Sequence, residues 1–299
     1  MRRNGDGPEP PYGRVDPPPT GLAVKIENSV DARPQTGLAA ADMVWEEVVE
    51  GGITRYVAVY HSNLPPEIGP IRSIRPMDPA IAAPLQGLFA FSGGQRAFVD
   101  GVAAAGLQVI SNDAGNAGFY RTSSRRAPHN VYADPQGFLA QADPAHLAAA
   151  PQLDIAPAGE QLTAGTPAGS VQLTLSPFSH PQWSWSQPDG RWLRAEGATP
   201  AVGADGGRLG ATNVVVLRVD MVDTGTKDPA GNPVPETVLV GTGEALVATG
   251  GHTLPATWSK AAVADRLILT GPDGMPVRLA AGTTWVELVP NRTGAVTVG

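Results

Sequence analysis

No cysteine occurs in the 299 residues, which excludes disulfides, thiolate nucleophiles and cysteine-held zinc. No apolar run approaches the ~18 residues that a membrane-spanning helix needs. Lysine is scarce: Lys25, Lys227 and Lys260 are the only three, so arginine supplies the rest of the 21 cations. Charged residues make up 16 % of the chain and the net charge is −7. That balance lacks the basic footprint of a dedicated nucleic-acid binder. There is no Walker phosphate loop, no nucleophile elbow around a serine and no dinucleotide-binding glycine fingerprint. The histidines at 61, 129, 146, 180 and 252 are dispersed, with no pair at metal-ligand spacing. Neither a metal nor a cofactor is expected.

What the chain has in quantity is punctuation. It carries 36 glycines and 30 prolines within a 42 % hydrophobic composition. Such a load of breakers disfavours a helical bundle and favours short elements joined by many turns. Residues 1–20 end in the stretch PEPPYGRVDPPPT and read as an extended tether. No apolar stretch follows Met1-Arg2-Arg3, so an intact signal peptide is not expected there.

Strand-like and helix-like stretches alternate over residues 21–150. LAVKIE (22–27), TRYVAVY (54–60), LFAFS (88–92) and LQVI (107–110) read as strands. Residues 38–49 have apolar positions at helical spacing, and helices are expected also at 76–85, 95–105 and 135–149. The rhythm predicts an α/β domain with a mostly parallel sheet. Residues 151–170 are rich in Pro, Gly and Ala and read as a linker. Over 171–299 short apolar runs separated by turn signals predict a β-rich domain. Trp183, Trp185 and Trp192 lie on its first strands, where core packing is favoured over a sugar-stacking platform.

Ligands of parallel sheets tend to bind beyond the carboxyl ends of the strands. Those ends are Asn28, His61, Ser92-Gly93-Gly94 and Asn112-Asp113. The flanking loops bring cations. Arg72, Ser73 and Arg75 precede one helix, and Arg121, Arg125, Arg126, His129 and Asn130 share one irregular stretch. Between Arg55 and Arg126 seven arginines face four acids, a positive island in a negative chain. Arginine presents a planar donor fork suited to phosphate or carboxylate. The candidate ligand set is therefore Asn28, Arg33, Arg72, Ser73, Arg75, Ser92, Gly93, Gly94, Arg121, Arg126, His129 and Asn130. Arg55 is expected at the opposite edge of the sheet, paired with Glu46 or Glu50. If the protein is an enzyme, His129 and Glu46 are the candidate proton carriers. His129 serves equally well as a hydrogen-bonding loop residue.

Several segments together carry a resemblance. They are Ile26-Glu27-Asn28, Ala32-Arg33-Pro34-Gln35-Thr36-Gly37-Leu38, Ala41-Asp42-Met43-Val44-Trp45-Glu46, Gly69-Pro70-Ile71-Arg72-Ser73-Ile74-Arg75-Pro76 and Arg126-Ala127-Pro128-His129-Asn130. In the second half they are Asn213-Val214-Val215-Val216, Gly241-Thr242-Gly243, Thr257-Trp258-Ser259-Lys260 and Gly282-Thr283-Thr284-Trp285. Over roughly 20–290 the chain resembles the YerB family of bacterial envelope lipoproteins. The resemblance implies an extracytoplasmic protein anchored through a lipidated cysteine outside this sequence, and assigns no activity. Three readings follow: a module binding an anionic envelope glycan or a phosphate-bearing small molecule, an envelope hydrolase or transferase, or an adaptor for envelope enzymes.

Overall fold

The computed structural model describes residues 20–160 and 165–299. All of the expected tether except Thr20, and residues 161–164 of the linker, lie outside them. Leu22–Glu27 forms a strand (β1) with every residue buried. Met43–Val48 (β2) is also a fully buried strand, where a helix was expected. It is buried on both faces, each carrying apolar residues and one glutamate, so it lacks the alternation of a half-buried strand and imitates helical spacing. After a short turn the chain returns as Thr54–Tyr60 (β3), antiparallel to both β2 and β1. Leu88–Phe91 (β4) and Gln108–Ser111 (β5) follow in parallel beside β1.

The sheet is therefore mixed, not mostly parallel. It also runs through both halves of the chain. Beyond β2 come Thr284–Pro290, Asn213–Lys227, Gly241–Thr249, His252–Lys260 and Ile268–Thr270, in that spatial order. Thr284–Pro290 is parallel to β2 on one side and to Asn213–Lys227 on the other. It closes the seam between the halves.

One face of this sheet is covered by α1 (Asp78–Ala82) and α2 (Arg96–Ala104), which bury Ile81, Phe98 and Val102 against Trp45, Val57 and Phe89. On the opposite face lies an antiparallel sheet of Ser170–Thr174, Pro181–Ser186, Arg191–Glu196 and Ala295–Val298. Trp183 and Trp192 from that small sheet are fully buried, and Trp183 meets Trp285 edge-on at 5.2 Å. These two tryptophans are core. The helix expected over 135–149 is only Pro135–Leu139 (α3), followed by a turn at Pro144–His146. Pro144 cannot continue a helix from its preceding turn.

Candidate functional site

Because β3 is antiparallel to β1, the start of one lies at the end of the other. Arg55 sits opposite Glu27 in β1 and opposite Glu47 in β2. It thus belongs to the same edge as the ends of β1, β2 and β4, contrary to its expected place, while His61 moves to the far edge. The expected carboxylate pairing is replaced by a 2.7 Å bond from its guanidinium to the Ser73 carbonyl. Burial, with Arg75 and Arg72 nearby, lowers Arg55 to about 10.

Three loops meet above this edge. Thr36 and Gly69 exchange backbone hydrogen bonds, Ile71 N–H donates to Val131, and Ile68 bridges Ala133. The segment 70–72 continues the pairing of β1 where β4 leaves off, with Glu27 N–H on Pro70 and Arg72 N–H on Lys25. Ser92 N–H in turn bonds the Arg72 carbonyl and Ile74 N–H bonds the Gly93 carbonyl. A side chain at Gly94 would meet Ile74 at 2.7 Å, so the glycines let the arginine loop lie against the end of β4.

At the centre of the edge is Glu27, whose side chain is 3 % exposed. His129 Nδ1 lies 2.9 and 3.0 Å from its two carboxylate oxygens. Ser29 Oγ donates to it at 2.9 Å, and Arg72 Nε is 3.4 Å away. His129 and Arg72 remain partly exposed, so a buried carboxylate holds two outward-reaching groups. The other imidazole nitrogen lies 4.0 Å from the exposed carboxylate of Asp31.

Below that rim the charges pair inward. Arg75 binds Glu50 through Nη2 at 2.7 Å, and its backbone N–H donates to Asp78. Lys25 is fully buried between Glu47 and Asp78, with Asp78 at 2.7 Å. Burial and the neighbouring Asp78 raise Glu47 to about 8, against the opposing pull of Lys25. One lysine between two acids is best neutralised when one acid keeps its proton.

Glu46 points to the opposite face of β2. Arg194 of the small sheet donates to Glu46 at 2.5 Å and to Glu287 at 2.6 Å. The same guanidinium lies over Trp285, 4.7 Å from the ring centre. Thr54 and Asn28 complete the shell of Glu46 at 2.6 and 3.1 Å. Glu46 therefore has no direct part in the group around His129. Asn28 is buried and bound by Arg33 at 2.9 Å, and Arg33 reaches Glu196 at 3.2 Å.

The remaining cations stand on the loop around 119–133. Arg121 donates to Asn130 at 2.8 Å across a short hairpin. Arg125 donates to the carbonyls of Asp31 and Pro34, tying this loop to the first. Arg126 is exposed, with its carbonyl accepting His129 N–H. Among the described residues no carboxylate lies within ion-pair distance of Arg121, Arg125 or Arg126.

The structure thus brings Arg72 and His129 together, sets Ser73, Ser92, Gly93 and Gly94 beside them, and turns Arg75 inward. Sequence reasoning missed Glu27 as the hub. Its signal was present in Ile26-Glu27-Asn28, at the end of a strand and beside a candidate ligand residue. It also missed Arg194, whose partners are distant in the chain.

Comparison with known proteins identifies the family. Residues 13–148 match the N-terminal domain, and residues 171–286 the C-terminal domain, of a family described as "Protein of unknown function (DUF3048)". A Bacillus subtilis (strain 168) protein named "Putative lipoprotein YerB" is 33 % identical over 114 residues. That match covers 37 % of this chain and 34 % of the relative, so it spans about a third of that protein. The crystal structure of YerB protein from Bacillus subtilis superposes with a TM-score of 0.80 at 19 % identity, covering 96 % of this chain and 98 % of that one. At that identity the likeness is one of fold. With both domains matched in order on this fold, the chain belongs to the YerB-like family of two-part DUF3048 proteins.

Proposed function

We propose that this protein binds an anionic component of the cell envelope, a phosphorylated glycan or lipid-linked precursor, at the edge around Glu27. The observation that carries the reading is the group Arg121, Arg125 and Arg126, without carboxylate partners among the described residues of a chain whose net charge is −7. His129 lies on the same loop, and it and Arg72 are both anchored from below by Glu27. Guanidinium forks held this way favour phosphate or carboxylate oxygens, and nucleic acid is not the expected partner. The name of the Bacillus relative supports an extracytoplasmic protein attached to the membrane by a lipid anchor. No helix among the described residues is long and apolar enough to cross a membrane. Calorimetric titration with poly(glycerol phosphate) tests the reading: saturable binding supports it, and no binding to the folded protein refutes it.

One observation favours a second reading, an envelope hydrolase or transferase. With Nδ1–H donating to Glu27, His129 presents Nε2 as a proton acceptor. Hydrolysis of a phosphodiester would have water attack phosphorus while Nε2 takes its proton and the alkoxide leaves protonated from solvent. Turnover of poly(glycerol phosphate) that His129→Ala lowers by about 10²–10⁴, with affinity retained, supports this reading over simple binding. Affinity without turnover leaves binding as the function.

A further inference from the structure

The segment Thr257-Trp258-Ser259-Lys260 takes no part in the edge around Glu27. Its strand, His252–Lys260, alternates at this end: Trp258 and Lys260 are buried, and Ser259 between them is exposed. Trp258 belongs to the core that α1 and α2 cover, so Lys260 points into that core as well. Packing accounts for Trp258, whose Nε1 donates to the Arg218 carbonyl at 2.9 Å.

Packing does not account for Lys260. The residue is 3 % exposed, and its ammonium donates to the backbone carbonyl of Asp265. No carboxylate lies within ion-pair distance of it among the described residues, whereas the equally buried Lys25 has two. An ammonium has three donors, so this one has donors to spare. Burial lowers the Lys260 amine to about 8, with Asp265 opposing, so at neutral pH most of it is still charged.

A second buried polar group is left over nearby. Gln152 is 1 % exposed, and its Nε2 donates to the Ile81 carbonyl of α1 at 2.9 Å, which fixes the orientation of the amide. The other atom of that amide, Oε1, is buried and accepts no hydrogen bond. An unsatisfied buried acceptor is unfavourable, and native interiors rarely keep one.

Lys260 and Gln152 line the same cavity. It offers about 10 Å³ to the centre of a water-sized sphere, room for one water and no more. Trp45, Ile81, Leu239 and Leu267 give it an apolar wall. One polar side chain brings spare donors and the other a spare acceptor, and no direct hydrogen bond joins them. We propose that this cavity is the binding site of one internal water, which accepts from Lys260 Nζ and donates to Gln152 Oε1. The water completes a polar path from the Ile81 carbonyl through Gln152 and Lys260 to the Asp265 carbonyl. It thereby ties residue 152, beside α1, to the sheet of the second half.

The test is a crystal structure of the full chain at a resolution that shows ordered water, together with oxygen-17 relaxation dispersion in solution. A density peak about 2.5–3.2 Å from both Lys260 Nζ and Gln152 Oε1 is expected. Lys260→Met preserves the length of the stem and removes the donors. It should lose that peak, and the oxygen-17 signal should fall by the share of one long-lived water. No peak in the cavity, or a direct bond between Lys260 and Gln152, would overturn the proposal. An unchanged peak and oxygen-17 signal in folded Lys260→Met would do the same. Should that variant fail to fold, the peak and its two distances in the unsubstituted protein still decide the matter.

Discussion

Glu46 and Glu47 are consecutive residues that serve different buried cations on opposite faces of β2. Glu46 meets Arg194 of the small sheet at 2.5 Å, while Glu47 is bonded to Lys25 beneath the candidate site. A strand alternates its side chains, so adjacent acids need separate partners in separate layers. Glu46 joins the two sheets, and Glu47 helps to hold β1 beneath the Arg72–His129 rim.

The Lys25 group makes the first prediction. If Glu47 keeps its proton, Glu47→Gln imitates the native state and should cost less than about 1 kcal/mol near pH 6. Asp78→Asn removes the remaining counter-charge and should cost about 3–5 kcal/mol. Denaturant unfolding of both variants measures this. Equal losses would show that both acids are ionised.

Stability should also depend on pH through Glu47. Its folded value, about 8, lies above the ordinary 4.5, so the folded state holds the extra proton between them. This contribution is fully present below about pH 4.5 and is lost as pH rises through about 8. Thermal unfolding across that window should show less of this decline in Glu47→Gln than in the unsubstituted protein. Identical slopes would exclude Glu47 as its source.

Arg194 should be the strongest single polar determinant of the contact between the sheets. Arg194→Met leaves Glu46 without its cation and should cost about 3–5 kcal/mol. Arg194→Lys should recover only part, because lysine cannot reach both Glu46 and Glu287 with a planar fork or cover Trp285 equally well. Glu287, held well above the usual carboxylate range by burial, should tolerate Gln far better than Glu46 tolerates Ala. Urea midpoints decide. A mild Arg194→Met would mean that the apolar contacts alone hold the sheets together.

The sequence made some of this legible and concealed the rest for physical reasons. β1, β3, β4, β5 and α2 stand out because breakers bound each one and its period is clear. β2 does not, since burial on both faces erased its alternation, and that one error moved Arg55 to the wrong edge. The seam strand Thr284–Pro290 falls in the half expected to be β-rich, but its pairing with β2 is fixed by contacts far apart in the chain. The same holds for Arg194, whose carboxylate partners lie 148 and 93 residues away. The meeting of Arg72 with His129 was foreseeable, since both were expected at strand ends over one edge. Glu27 was passed over as an ordinary polar residue of a strand.

Arg75 and Arg126 separate framework from binding. Arg75 is buried on Glu50, so Arg75→Ala should lower stability by about 3–5 kcal/mol. Arg126 is exposed without an ion pair, so Arg126→Ala should leave the melting temperature nearly unchanged. A large drop in melting temperature for Arg126→Ala would assign that arginine to the framework.

The most direct measurement is the affinity of poly(glycerol phosphate) for the unsubstituted protein and for Arg126→Ala and Arg72→Ala, with folding checked in each. Loss of a charged donor should weaken binding about tenfold or more in each folded variant, and added salt should weaken it in all three. Unchanged affinity in both variants, or no binding by the unsubstituted protein, would contradict an anion site at the edge around Glu27.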